Sequence, residues 1–340
     1  MVFHSVCTTF AAMKLNKRRM PAEWEPQSAV QLTWPHKDTD WAPILPEITA
    51  VYEEMAREIS KREPLIIVDD IPHNDTWARD HGFITVEEPS ALSPQPSDLI
   101  LLDFCFNGWG EKFEAGLDNQ INKHLFESGL VKGIYEDHLD FVLEGGSIES
   151  DGKGTVFTTA CCLLAPHRNQ PLTAQQLEDR LKEHLGAERI VWLHHGSLIG
   201  DDTDGHIDTL VRICPNDTLL YTGGDEDHPD LYEMERELQA LRTMEGKPYR
   251  LLKLPLPRPI YDTTAISHQP SAINRLPATY ANYLVINGAV LVPTYAQPDL
   301  DQEAMLIIQQ AFPDREIVGI DCRAVIKQHG SLHCCTMQYY

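Results

Sequence analysis

Apolar residues recur at helical spacing in five separate stretches of the chain. Over residues 46–60, Ile48, Val51, Tyr52, Met55 and Ile59 fall on one face, with Pro46 in the first turn. Leu117, Ile121, Leu125 and Phe126 repeat the pattern over 115–127. Thr173-x-x-Gln176 has the form of a capping box, and the helix it opens continues through Leu177, Leu181 and Leu185. Two further helices are predicted at 229–242 and 299–311. Short apolar runs at Leu65–Val68, Ile190–Leu193, Arg250–Leu254 and Glu316–Ile320 follow such helices and read as strands. Additional strands are predicted at Phe83–Val86, Leu99–Phe104, Thr155–Thr159, Asp208–Ile213, Leu219–Tyr221 and Tyr283–Val292. Alternation of this kind argues an α/β fold. Five units of roughly 50–60 residues point to radial or stacked repetition. No Gly/Ser or charged linker divides them, and residues 87–96 read as a surface loop.

Composition narrows the classes. The chain has 340 residues, 42% of them hydrophobic and 23% charged, which fits a globular protein of one or two domains. No run reaches the ~18 apolar residues of a membrane span, so no membrane partner is expected. Lys plus Arg number 28 and Asp plus Glu 51, a net charge of -23. Such a chain is a poor partner for nucleic acid, whose binding rests on cationic contacts to phosphate. Its field attracts small cations instead. The eight cysteines include two adjacent pairs and wide gaps, unlike a disulfide framework or a zinc-ligand pattern. The expected compartment is therefore reducing and cytoplasmic. Residues 1–22 carry no acid, and their basic cluster follows the apolar stretch, the reverse of a secretory signal. Residues 1–18 are read as a disordered extension and 19–340 as a single catalytic domain.

Polar clusters interrupt the periodic sequence at Asn74–Gly82, Glu144–Ser147, Gly200–Asp208 and Gly330–Thr336. A cysteine nucleophile acts as thiolate, and a histidine can move the protons. Carboxylates in the same place would oppose the thiolate unless a bound cation neutralised them. A guanidinium does so, being planar, permanently charged and matched to carboxylates in its donor geometry. Cysteine, histidine and several carboxylates thus suit attack on a guanidinium carbon. The run Asp201–Asp208 alone resembles a calcium loop, but Arg212 stands where an EF-hand needs glutamate.

Taken together, Arg19–Pro26, Asn74–Gly82, Leu143–Ser147, Gly205–Asp208 and His333-Cys334 resemble the agmatine deiminases. These are relatives of the bacterial peptidylarginine deiminases in the guanidine-modifying, or pentein, superfamily. The resemblance spans residues 19–340. It implies a five-bladed pseudosymmetric α/β propeller of ββαβ units around a central site. It further implies Cys334 as nucleophile, His206 as general acid/base, and Asp80 and Asp208 as the guanidinium-gripping pair. Glu144 would hold His206 protonated, Trp77 would wall the channel, Asn282 would line the pocket, and Asp202 would meet the far ammonium. The implied reaction is hydrolysis of agmatine to N-carbamoylputrescine and ammonia through a thiouronium, in putrescine biosynthesis or agmatine catabolism, with no metal or organic cofactor. A homo-oligomer, read as a homodimer, is also implied.

The chain departs from that pattern where the family shows two glycines before the His-Cys pair, because the first is His329. A left-handed backbone there would strain histidine, though less than most side chains. Cys335 adjoins Cys334, and Cys334 is preferred as nucleophile because it directly follows His333. Free arginine and peptidyl-arginine are the rival substrates. The acidic balance favours a ligand cationic at both ends. A non-catalytic binding propeller and a metalloprotein are the alternatives from other classes. The crowded carboxylates predict that Cys334 rests as a thiol in the free protein.

Overall fold

The computed structural model describes residues 18–88, 98–262 and 275–340. Among these residues the strands form five three-stranded sheets. The first sheet contains β1 (Ala29–Thr33) and β2 (Leu65–Val68), the second β3 (Ile84–Glu88), β4 (Asp98–Cys105) and β5 (Ile134–Val142). The third is β6 (Ile148–Ser150), β7 (Thr155–Thr159) and β8 (Arg189–Leu193). The fourth is β9 (Val211–Cys214), β10 (Thr218–Thr222) and β11 (Arg250–Leu254). The fifth is β12 (Leu284–Ile286), β13 (Ala289–Thr294) and β14 (Glu316–Asp321). β15 (Thr336–Tyr339) completes the first sheet by pairing antiparallel with β1, Ala29 opposite Tyr339.

Every sheet has the same plan. Its middle strand pairs antiparallel with one neighbour and parallel with the other. A parallel pair needs a crossover, and a helix supplies it each time. The five crossover helices are Leu45–Ser60, Asp118–Glu127, Ala174–Leu185, Pro229–Ala240 and Pro298–Ala311. Each lies within two or three residues of the helix predicted from periodicity at one or both ends. Their buried stripes are the predicted ones: Ile48, Tyr52, Met55 and Ile59 on the first, Leu177, Leu181 and Leu185 on the third. Ile48, Tyr52, Met55 and Ile59 share one apolar cluster with Val30 and Leu32 of β1. The capping box forms as expected, with the Thr173 hydroxyl accepting from the Gln176 amide and the Gln176 carbonyl oxygen accepting from the Thr173 amide. Repetition is radial, since the last strand closes the first sheet.

Several local readings change. The strand predicted over Tyr283–Val292 is a hairpin, β12 and β13, broken at Asn287-Gly288. Gly288 takes φ +77, the left-handed conformation that Asn-Gly turns supply. The strand predicted from Asp208 starts only at Val211, because Ile207–Thr209 is a single 3₁₀ turn. Glu87 and Glu88 belong to β3, and residues 89–96 of the predicted loop lie outside the described residues. Of the proposed N-terminal extension, residues 1–17 also lie outside them. Arg18 is already anchored, at 2.7 Å from Glu136 and 3.1 Å from Glu88. Strands β1, β5, β6 and β15 carry no clear hydrophobic pattern. β5 (IYEDHLDFV) is mostly solvent-facing, while β15 (TMQY) buries polar as well as apolar residues.

At the centre the core is ionic rather than apolar. Arg212 of β9 is fully buried and pairs with Glu23 and with Glu149 of β6. Its remaining donors reach the carbonyl oxygens of Ala281, at 2.9 Å, and Tyr283. One guanidinium therefore joins the N-terminal segment to three of the five units. Removing one partner of such a group leaves the others charged, buried and unpaired, which costs about 3–5 kcal/mol. Arg212→Met is expected to lose about that much stability, read from its urea denaturation midpoint against that of the unaltered chain.

Candidate active site

The turns that enter the first strand of each unit all point their polar side chains at the centre. Asp80 sits on the short helix Ala78–His81 ahead of β3. Glu144 precedes the turn Gly145–Ser147 that leads into β6. His206 and Asp208 flank Ile207 ahead of β9, and Asn282 lies just before β12. Cys334 lies in the 3₁₀ turn His333–Cys335 ahead of β15. The residues thus occupy one structural position repeated five times, although they span residues 80–334 of the chain.

A cavity of about 620 Å³ reaches this centre. Cys334 and Asp80 lie at its lining, with Trp77, Trp109 and Phe113 as aromatic walls. Asp40, Asp75, Asp202 and Asp262 also line it, against Lys327 and His329. Gly330 lies beside the Trp77 ring so closely that an added Cβ would fall 2.2 Å from it. Of the eight residues singled out in the sequence, Trp77, Asp80, Asp202 and Cys334 line the cavity. His206, Glu144 and Asp208 are fully buried beside them. Asn282 does not line the cavity but backs the Cys334 turn. Its Oδ1 accepts from the His333 amide at 3.0 Å and the Cys334 amide at 3.3 Å, and lies 3.4 Å from Cys334 Sγ.

The carboxylates are held by donors from their own and other units. Asp80 Oδ1 accepts from the Gly146 amide at 3.0 Å, and its Oδ2 from the Trp109 indole at 3.0 Å. Asp208 Oδ2 accepts from His333 Nδ1 at 2.7 Å and lies 3.7 Å from Cys334 Sγ. Asp208 Oδ1 has no partner among the described residues. His206 is 3.7 Å from Asp80 and 3.9 Å from Glu144, so no direct hydrogen bond holds its ring. Gly146 lies where these groups converge. A Cβ there would approach His206 Nδ1 to 2.6 Å and the carboxylates of Asp80 and Asp208 to 3.0 and 3.1 Å.

Three participants carried no signal in the motif analysis. Arg168, with its side chain fully buried, donates from Nε to Glu144 at 3.0 Å and from Nη1 to Asp204 at 2.6 Å. It also reaches the Thr203 carbonyl at 2.8 Å, tying the Asp202–Asp204 loop to the base of the site. Its surroundings, Pro-His-Arg-Asn, form no recognisable pattern. Trp109 is unusual in holding φ +56 between two left-handed glycines, and its Gly-Trp-Gly context was the available cue. Lys112 donates to the Asp202 carbonyl at 2.6 Å and pairs with Asp204 at 2.8 Å. His329 takes the expected left-handed backbone, φ +67, and its ring nitrogen meets the Gly200 carbonyl at 2.7 Å.

Charge sets the resting protonation. Burial alone would push His206 down, but Asp80, Glu144 and Asp208 together raise it above the ordinary imidazole value. Burial raises Asp80, helped by Asp208 and Glu144 and opposed by His206. Burial also opposes the charge on Asp208, yet the His333 hydrogen bond and nearby cations bring its pKa below the usual carboxylate value. Cys334 is held well above the free thiol range, first by burial and then by Asp208 and Asp80. On the cavity wall, burial lifts Asp75 to about 7 and Asp202 to about 6. A group with a raised thiol pKa stays protonated until the pH climbs through it, so Cys334 contributes no thiolate at pH 7. The near-ultraviolet thiolate absorbance of the ligand-free protein at pH 7 is expected to match that of Cys334→Ala. Excess absorbance in the unaltered chain would contradict this arrangement.

Comparison with known proteins gives the same picture over nearly the whole chain. Residues 19–339 match the model of the Porphyromonas-type peptidyl-arginine deiminase family. An agmatine deiminase from Pseudomonas aeruginosa is 32% identical, over 94% of this chain and 95% of its own. A putative arginine deiminase from Porphyromonas gingivalis is 46% identical in sequence, with a TM-score of 0.86 over 95% of this chain and 98% of its own. A cysteine-to-serine variant of the C. jejuni agmatine deiminase, solved with substrate bound, is 34% identical, with a TM-score of 0.84 over 95% and 96% of the two chains. A dimethylarginine dimethylaminohydrolase, at 12% identity and a TM-score of 0.53, shares the pentein fold alone. Five ββαβ units, a buried Cys/His/carboxylate centre and a family match from residue 19 to 339 agree: the chain belongs to the Porphyromonas-type peptidyl-arginine deiminase family.

Proposed function

We propose that this chain is an agmatine deiminase, hydrolysing the guanidinium of agmatine to N-carbamoylputrescine and ammonia. The observation that carries the substrate is the cavity itself. Asp80 and Cys334 lie at its lining, aromatic walls run along it, and Asp40, Asp75, Asp202 and Asp262 offer carboxylates for a second cation. The agmatine deiminases of P. aeruginosa and C. jejuni support the same reading. Residues 19–340 would act as one catalytic domain. A cytoplasmic homodimer without nucleic-acid or membrane partners fits the reading, and among the described residues no helix is long and apolar enough to cross a membrane.

The mechanism follows from the charges. Asp80 and the free oxygen of Asp208 take the guanidinium N–H groups in charge-assisted hydrogen bonds. The arriving cation offsets the carboxylates that hold Cys334 protonated, and its thiol proton passes to water in the cavity. Cys334 Sγ then forms a bond to the guanidinium carbon. The carbon–nitrogen bond breaks as His206, kept protonated by its carboxylates, gives its proton to the departing ammonia. A thiouronium remains on Cys334. His206, now neutral, takes a proton from water, and the resulting hydroxide adds to the same carbon. The carbon–sulfur bond breaks as the added hydroxyl passes its proton to the departing sulfur, releasing the neutral ureido product and restoring the Cys334 thiol. Asn282, the His333–Asp208 pair and Arg168 on Glu144 are positioning groups in this scheme.

The test is ammonia release from agmatine, free arginine and a blocked peptidyl-arginine, measured side by side. Agmatine is expected to turn over, with a loss of at least about 10³-fold in Cys334→Ala. Turnover of arginine in preference would transfer the far end of the substrate to Lys327, the lysine on the cavity wall. A charged hydrogen bond contributes about 1.5–3 kcal/mol. Asp202→Asn is therefore expected to raise the KM for agmatine about 10- to 100-fold with little change in kcat. An unchanged KM would remove Asp202 from the far-ammonium subsite.

A further inference from the structure

Glu144, Cys162 and His206 form a donor set of which the hydrolytic scheme uses only part. A carboxylate oxygen, a thiol sulfur and a ring nitrogen, one from each, all lie within 4.8 Å of one another, and the three residues are fully buried. Neither ring nitrogen of His206 has a hydrogen-bond partner among the described residues. Arg168 Nε holds Glu144 more closely through Oε1, at 3.0 Å, than through Oε2, at 3.3 Å. Oε2 is the oxygen that faces His206, at 3.9 Å. Cys162 stands on the short helix Ala160–Leu163, capped by the Thr159 hydroxyl, which itself donates to the Gly205 carbonyl at 2.6 Å. Thr159 thereby fixes the thiol-bearing turn against the loop that carries His206.

We propose that this trio is an inhibitory site for a borderline-soft divalent cation, zinc above all, which removes His206 from proton transfer when it binds. Zinc takes sulfur at about 2.3 Å and imidazole or carboxylate at about 2.0–2.2 Å. Donors at those lengths stand roughly 3–4 Å apart, so separations of up to 4.8 Å close by at most about 1–2 Å around the ion. Ligation requires thiolate and neutral imidazole. The ion brings two positive charges as Cys162 and His206 each release a proton. The buried cluster keeps its net charge, and Arg168 can stay on Glu144. Sulfur and imidazole together select against magnesium and calcium. The comparable cluster of Glu23, Glu149 and His333 offers no vacancy, because the Arg212 guanidinium already bridges its two carboxylates.

The test combines inhibition with a signal that needs no turnover. Zinc is titrated into the ammonia-release assay, and cobalt(II) into the ligand-free protein. Inhibition is expected in the unaltered chain, reversed by EDTA, with at least about tenfold more zinc needed in Cys162→Ser. Without metal, Cys162→Ser is expected to keep activity within about twofold. Cobalt should give a sulfur-to-metal charge-transfer band in the unaltered chain and in Cys334→Ala, but none in Cys162→Ser or Cys162→Ala. The band reports on the site whether or not agmatine is the substrate, and the alanine variant serves if serine does not fold. Equal zinc sensitivity in Cys162→Ser, a band that disappears with Cys334 instead, or no band at saturating cobalt would each overturn the proposal.

Discussion

Charges buried on the central axis have to be neutralised largely by one another, because almost none of their surface is exposed. This requirement organises the molecule. Glu23, Arg212 and Glu149 form one group, Asp208 and His333 a second, and Asp80, His206, Glu144 and Arg168 a third. Each group draws members from more than one unit, although Glu144 and Arg168 both belong to the third. An isolated buried ion costs several kcal/mol after relaxation. The five units therefore close around the axis together, and the closing forces bring the reactive groups into register.

Repetition explains how distant residues meet. The turn before the first strand of each unit points inward by the same geometry, and each turn carries a different side chain: Asp80, Glu144, His206 with Asp208, Asn282 or Cys334. One backbone position has thus been filled with carboxylates, an imidazole, an amide and a thiol. Closure of the first sheet by β15 is what brings the Cys334 turn beside the Asp80 turn. Space is tight enough at the convergence point that residue 146 has room only for hydrogen.

The same acidity that suits a cationic ligand suppresses the nucleophile. Burial with Asp80 and Asp208 alongside holds the Cys334 thiol well above its ordinary range, while those carboxylates with Glu144 raise the His206 imidazole above its ordinary value. Both shifts favour the protonated form. In the proposed reaction a guanidinium entering between the carboxylates would offset them at sulfur, so that reactivity would depend on occupancy.

Much of the architecture was legible in the chain before any coordinates. The helices showed because each buries one face, leaving a 3.6-residue stripe such as Ile48, Tyr52, Met55 and Ile59. Polar clusters in otherwise periodic sequence marked where the inward turns would fall, and Cys334, Asp80, Trp77 and Asp202 do face the cavity. Strands β1, β5, β6 and β15 escaped notice because their side chains form no apolar or alternating run: β5 is mostly solvent-facing, β6 is three residues long, and β15 buries polar with apolar residues. Arg168 and Trp109 were likewise invisible. Their roles come from what they touch, Glu144 and Asp204 in one case and Asp80 in the other, and none of these is a sequence neighbour. Asn282 was placed on the pocket wall, whereas it backs the nucleophile's turn. Periodicity and composition are local properties of the chain, so the sequence by itself determined the α/β repeats, the acidic balance and the reactive residue types. Distance and burial arise between segments remote in the chain, and only the closed tertiary structure decided which carboxylate faces His206 and which group holds Glu144.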